Sequence, residues 1–301
     1  MIGGVQQSFA HTDRRRYAAF LQGHGLDSTD RPVYSQLSDR QFCLFNTTTG
    51  SKTMGYAIKG KTALVTGANR GIGEAIVDAL VAAGAAKIYA AARHTADLAP
   101  LTARHGARVV ALPLDVTDPA QIAAAAAVAS DVQLLVNNAG FAGHAGGAFA
   151  DPKWLTAGRQ EMDVNFFGTF AVTQAFAPVL AKNGGGSVVN MASVASLVNF
   201  ALLASYSASK AAVHSLTQAT RMMLKGQGTQ VFGVYPGPID TRMAEGIPFD
   251  KTSPADAAKA IVAGIEAGTE EIFPDPMSQG MGAGYFANPK DTERQVAAMA
   301  G

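Results

Sequence analysis

From residue 61 onward, short apolar runs alternate with longer stretches in which apolar residues recur at helical spacing. The runs lie at 61–66, 87–92, 109–116, 133–136, 187–191, 231–235 and 271–274. In each, consecutive positions are apolar instead of alternating with polar ones, which marks strands covered on both faces. The stretches between them are rich in alanine and predict helices. Two are long, at 156–180 and 206–226; another starts at Ser253-Pro254, a serine cap with proline in the first turn. Strands alternating with helices predict an α/β fold: a doubly wound, mostly parallel sheet of about seven strands, helices on both faces, right-handed crossovers.

Residues 1–53 break this pattern. They mix His, Gln, Asp, Arg, Ser and Thr without period and end in a polar run, Thr47-Thr48-Thr49-Gly50-Ser51-Lys52-Thr53. They read as a weakly ordered or disordered extension with at most one short helix at 13–21, the alternative being a docking or oligomer arm. A single catalytic domain is expected over 54–301, and Met54 is a natural alternative start.

With 301 residues the chain can bury a large core. A net charge of +1 gives no electrostatic reason to expect nucleic acid. One cysteine, Cys43, excludes an internal disulfide framework, and six scattered histidines without a His-x-x-x-His pair give no metal site. No uncharged apolar run is expected to reach membrane-spanning length, and no secretory signal is visible. A cytoplasmic protein without membrane or nucleic-acid partners is the expectation.

The first strand runs into Gly67-Ala68-Asn69-Arg70-Gly71-Ile72-Gly73 and then a helix. Strand, glycine turn and helix N-terminus together make an anion site, because free N–H groups and the helix dipole meet negative charge there. This is a dinucleotide-binding arrangement of the Rossmann type. At the end of the second strand, where an acidic residue would hold ribose hydroxyls, stand Ala92 and Arg93. A guanidinium there, with Arg70 in the loop, favours NADP(H) over NAD(H). Asp115, next to Val116, is placed either to bond adenine or to cap the following helix. Asn137-Asn138-Ala139-Gly140 ends the fourth strand at the expected ligand crevice.

Tyr206-Ser207-Ala208-Ser209-Lys210 carries the candidate chemistry. A phenol titrates near pH 10, too high for proton transfer at neutral pH. A lysine four residues on along a helix shares its face and is expected to lower that value. The spacing alone is common by chance. Ser193 follows the fifth strand, and Pro236-Gly237-Pro238-Ile239-Asp240-Thr241 follows the sixth, so one rim gathers all these loops.

Taken together, Thr66 to Gly73, Asn137 to Gly140, Asn165, Ser193, Tyr206 with Lys210, and Pro236-Gly237 with Thr241 resemble the short-chain dehydrogenase/reductase family over residues 55–301. The resemblance implies NADP(H)-dependent interconversion of a ketone or aldehyde and an alcohol. It implies Tyr206 as general acid or base, Lys210 as its modulator and ribose ligand, and Ser193 as a hydrogen-bond partner of the substrate oxygen. Asn165 would support a water chain to the lysine. Cofactor contacts would come from Gly67, Asn69, Arg70, Gly71, Ile72, Gly73, Arg93, Asp115, Val116, Asn138, Ala139, Gly140, Tyr206, Lys210, Pro236, Gly237, Ile239 and Thr241. A homodimer or homotetramer through the two long helices is implied. The alternatives are an NAD(H)-dependent dehydrogenase, a lyase or epimerase using the same tyrosine, and a silent redox sensor. An apolar substrate wall is expected from Val194, Leu197, Val198, Phe200, Leu202, Met243, Ile247 and Phe249, with His144 a solvated loop residue nearby. The glycine- and methionine-rich tail after Met277 is expected to close the pocket or to pack on a partner.

Overall fold

The computed structural model describes residues 55–246 and 249–299. The expected extension 1–53, the short helix at 13–21, Met54 and Ile247 lie outside the described residues. The described residues belong to one compact unit.

The strands are β1 (Thr62–Thr66), β2 (Lys87–Ala92), β3 (Val109–Pro113), β4 (Leu134–Asn137), β5 (Ser187–Met191), β6 (Gln230–Val234) and β7 (Glu271–Ile272). They form one sheet in the order β3-β2-β1-β4-β5-β6-β7, every pair parallel. The order reverses between β1 and β4, which opens a crevice beyond their carboxyl ends. Helices α1 (Gly71–Ala82), α2 (Ala99–His105), α3 (Pro119–Val128), α4 (Lys153–Glu161), α5 (Thr169–Lys182), α6 (Ala204–Leu224), α7 (Pro254–Ala267), α8 (Pro276–Ala287) and α9 (Pro289–Ala298) connect or follow the strands.

Successive side chains of a strand point to opposite faces, so each central strand feeds two cores. On one face Val65, Val136 and Val234 meet Ile76 and Leu80 of α1 and Ile261 and Ile265 of α7. On the other, Leu64, Leu135 and Val188 meet Val172, Phe176 and Leu180 of α5. β1 and β5 are buried along their whole length, which is why apolar residues fill consecutive positions at Ala63–Val65 and at Val188 and Val189. Replacing Leu64, fully buried, with alanine costs about 2–5 kcal/mol. A buried polar ladder fixes the middle of the sheet. Asn137 donates to Thr173 (2.8 Å) and to Asn190 (2.9 Å), and Asn190 donates to Thr217 (3.0 Å).

Three expectations need correction. β3 stops at Pro113, because the chain then turns so that Leu114, Asp115 and Val116 border the crevice. The long helix begins at Lys153 and runs to Lys182 through a π-helical turn, Met162–Gly168, between α4 and α5. Its stretch 164–181 carries no charged residue, so by length and composition it can span a membrane, contrary to the sequence expectation. Val172, Phe176 and Leu180 are nevertheless fully buried against the sheet, the position of a core helix.

Candidate active site

A cavity of about 1600 Å³ opens at the carboxyl ends of the strands. Its nucleotide end is built from backbone. Gly67 adopts φ +63°, and a Cβ there would lie 2.9 Å from the Ala139 Cα. At Gly73 an added Cβ would meet the Gly67 carbonyl oxygen at 2.3 Å. Only glycine fits either position, so the chain passes close enough to bare the first turn of α1. That turn has no side-chain cap, which leaves its N–H groups free for an anion. Thr66 locks the loop to its neighbour: its hydroxyl accepts from the N–H groups of Asn138 (2.9 Å) and Ala139 (3.0 Å). In return the Asn138 amide donates to the carbonyls of Thr66 (2.9 Å) and Gly67 (3.1 Å).

Arg70 and Arg93 line this end, while the arginine ion pairs among the described residues belong to Arg104, Arg221 and Arg294. Ala92 leaves the end of β2 without a carboxylate, and the nearby Asp97 accepts from Asn69 at 3.4 Å. Asp115 borders the cavity and is held by the N–H and hydroxyl of Thr117 (2.9 and 2.8 Å). It does not cap the next helix; Asp118 does, accepting from Ala120 and Gln121. The backbone geometry, the bare helix turn and the two free guanidiniums therefore suit a dinucleotide with extra phosphate.

The other end is built from side chains. Ser193 sits just beyond β5 and caps a short turn, its hydroxyl accepting from the Ala195 N–H (3.1 Å) and donating to the Pro236 carbonyl (3.3 Å). Tyr206 and Lys210 share one face of α6, the ammonium 5.8 Å from the centre of the phenol ring. Lys210 is 4% exposed and donates to the Met191 carbonyl at 2.7 Å. Burial pushes the Tyr206 pKa up to about 12; a hydrogen bond with Ser193 pulls it back, and the charge of Glu161 pushes it further up. Burial pushes Lys210 the other way, down to about 8. In the free protein the phenol therefore sits above its ordinary value, opposite to the direction expected, because burial and the Glu161 charge outweigh the Ser193 hydrogen bond.

The remaining loop after β6 brings Pro236, Gly237, Ile239 and Thr241 to the cavity. Asp275, 2% exposed, holds it: the carboxylate accepts the Gly237 N–H at 2.8 Å and caps α8. The glycine- and methionine-rich tail after Met277 folds into α8 and α9, and Met277 itself lines the cavity.

All eighteen residues expected to touch a cofactor border this one cavity: Gly67, Asn69, Arg70, Gly71, Ile72, Gly73, Arg93, Asp115, Val116, Asn138, Ala139, Gly140, Tyr206, Lys210, Pro236, Gly237, Ile239 and Thr241. Asn165 does not. It is buried in the π-helical turn, where its amide pairs with the N–H (2.8 Å) and carbonyl (2.9 Å) of Phe141 and donates to Ser209 (2.9 Å). Of the expected apolar wall, Val194, Phe200, Met243 and Phe249 line the cavity. Leu197 and Val198 pack inward instead, and Leu202 is exposed outside it. His144 is not solvated: its ring stands edge-on to Trp154, 4.5 Å between centres. Glu161 and Asp275 escaped the sequence reading, as did the bonds by which Thr66 locks the loop, because each acts through a partner distant in sequence.

A family model described as short chain dehydrogenase matches residues 61–251. A short chain dehydrogenase from Burkholderia cenocepacia, solved in complex with NADP, superposes with a TM-score of 0.74 at 37% identity, covering 80% of this chain and 99% of that one. The 2-dehydro-3-deoxy-D-gluconate 5-dehydrogenase of Bacillus subtilis is 35% identical over 217 residues, 69% of this chain and 83% of its own length. A 3-alpha-(or 20-beta)-hydroxysteroid dehydrogenase of Mycobacterium tuberculosis is 35% identical over 204 residues, 64% of this chain and 74% of its own length.

Proposed function

Because this chain belongs to the short-chain dehydrogenase family, we propose that it is an NADP(H)-dependent oxidoreductase that interconverts a ketone or aldehyde and an alcohol. The observation that carries this reading is a convergence. Ser193, Tyr206 and Lys210 border the same cavity as an uncapped helix turn and two arginines, Arg70 and Arg93, that form no ion pair among the described residues. The glycine loop and the first turn of α1 would hold the pyrophosphate, Arg70 and Arg93 the 2′-phosphate, and the loop at Pro236-Gly237 the nicotinamide. When bound, NADPH supplies the hydride.

The protein's own part is proton transfer and placement. Tyr206, whose pKa is raised, enters the step protonated, as a proton donor and not a resident anion. As charge develops on a carbonyl oxygen, the Ser193 hydroxyl and the Tyr206 hydroxyl polarise it together, and the phenol releases its proton to it. The phenolate left behind is stabilised by the Lys210 ammonium on the same helix face. Lys210 is fixed for this by the Met191 carbonyl at 2.7 Å. Val194, Phe200, Met243 and Phe249 give the substrate an apolar wall, which fits small or medium apolar or aromatic carbonyls. Exposed Leu155 and Phe167 on the 153–182 helix fit pairing of two copies there.

The test is NADPH and NADH absorbance loss against a panel of ketones and aldehydes. Turnover with NADPH at a kcat/KM at least tenfold above that with NADH is expected for at least one apolar carbonyl. A folded protein that binds NADPH but turns over none of them would instead point to a silent sensor.

A further inference from the structure

Glu161 is a fully buried carboxylate that the proton transfer above does not use. It closes α4, one turn before Asn165. One oxygen, Oε1, accepts the N–H of Gly143 at 2.8 Å. The other, Oε2, is buried with no hydrogen-bond partner. Keeping a carboxyl out of water with only one partner is costly, so an apolar side chain would pack there more cheaply. The site retains it next to a tight passage of chain. A Cβ at Gly143 would meet the Phe141 ring at 2.7 Å and the Ala157 methyl at 3.0 Å. The loop thus presses on α4 just where Glu161 holds it.

The held segment matters because of what it carries. Phe141 and Ala142 line the cavity immediately after Gly140. Phe141 is gripped at both backbone groups by Asn165, and Gly143 by Glu161. Two side chains one turn apart therefore clamp this stretch onto the helix that packs against α6, the element bearing Tyr206. The carboxylate is also close enough to act on Tyr206, whose proton affinity it raises.

We propose that Glu161 is a positioning residue for the substrate: its buried carboxyl anchors Phe141–Gly143 and so sets the wall on which the carbonyl compound's side group rests. Cofactor placement does not depend on it, because the dinucleotide loops are fixed by Thr66, Asn138 and Asp275. The substrate part of this claim rests on the reductase reading; the anchoring part does not.

Two variants of similar size separate the roles. Glu161→Leu removes the acceptor, while Glu161→Gln keeps one for the Gly143 N–H. Hydrogen–deuterium exchange of peptides covering 139–149 reads the anchor without any turnover. In Glu161→Leu the amides from Phe141 onward are expected to exchange at least tenfold faster, with Glu161→Gln restoring slow exchange. KM for the carbonyl substrate is expected to rise at least fivefold in Glu161→Leu and to be rescued in Glu161→Gln. The Kd for NADPH, read by fluorescence titration, is expected to stay within twofold. Unchanged exchange in a folded Glu161→Leu would overturn the anchor, and so would equal losses in both variants. A Kd for NADPH that rises in step with KM would overturn the assignment to the substrate wall. Should Glu161→Leu not fold, Glu161→Asp, too short to reach Gly143, takes its place with the same expected and contrary results. Faster exchange beside a wild type inactive on every carbonyl would sink the reductase reading and leave the anchor standing.

Discussion

The two ends of the cavity are made of different materials. The nucleotide end, from β1 to β4, is backbone: glycines at close approach, an uncapped helix turn, and hydrogen bonds from Thr66 and Asn138 that fix main chain to main chain. The end proposed to be catalytic, from β5 to β7, is side chain: a buried lysine, a half-buried tyrosine, a serine cap and a carboxylate strap from Asp275. Backbone dipoles keep their charge at any pH, so the first end is an anion cradle insensitive to titration. Buried side chains pay desolvation and shift their pKa values, so the second end is where protons can move. On the proposed function, one end holds and the other reacts.

That division can be broken by substitution. The largest effect is expected from Tyr206→Phe, which removes the proton donor and leaves the ring. A general acid is worth about 10²–10⁴-fold, so kcat for carbonyl reduction should fall by about three orders of magnitude. The Kd for NADPH should hold within threefold; stopped-flow absorbance and a fluorescence titration read the two. Next comes Gly73→Ala. Its methyl meets the Gly67 oxygen at 2.3 Å and the Asn138 amide nitrogen at 2.4 Å, so backbone must move. At about 1–3 kcal/mol of overpacking, the Kd for NADPH should rise roughly 10–100-fold, with kcat at saturating cofactor largely kept. Ala92→Asp puts a carboxylate beside Arg93 where β2 ends. The ratio of kcat/KM for NADPH over NADH should drop by roughly tenfold or more, measured as initial rates with each cofactor. The smallest effect is expected from Asp275→Ala, which strips the cap from α8 and frees Gly237. Losing such a cap costs about 0.5–2 kcal/mol, read as a lower Tm, with only a few-fold rise in the Kd for NADPH.

The two ends also differed in how much the sequence revealed. The anion cradle was legible because its cause is local: an apolar run, then glycines at fixed spacing, then a helix. Seven parallel strands followed from the same kind of local pattern. Tyr206 and Lys210 were legible as a pair because four residues along α6 bring them to one face. Their proton affinities were not, since these depend on burial by elements far away in sequence, and desolvation reversed the expected direction for the phenol. Glu161 and Asp275 stayed hidden for a related reason. A lone acidic residue in a helical or turn pattern reads as solvent-facing until the fold places Gly143 or Gly237 beside it. Ser193 was visible as the residue after a strand, whereas the split of the neighbouring apolar residues between core and cavity needed the packing of the turn at Val194–Ser196.

Under the proposed mechanism proton transfer by Tyr206 depends on the buried ammonium at Lys210, so it should follow the titration of that lysine. Lys210 is depressed from 10.5 to about 8 in the folded chain. Between those values the unfolded chain binds the extra proton and the folded one does not, so stability rises with pH across that window. Catalysis should run the other way, because above about pH 8 the ammonium that stabilises the phenolate is lost. The measurement is kcat/KM for carbonyl reduction and Tm across pH 6–10.5, on the wild type and on Lys210→Met. The wild-type kcat/KM is expected to hold a plateau to about pH 8 and to fall by close to tenfold per pH unit beyond it. The wild-type Tm, relative to Lys210→Met, is expected to climb over the same range. A wild-type kcat/KM that stays level to pH 10, or a Lys210→Met variant as active as the wild type, would contradict the dependence on Lys210.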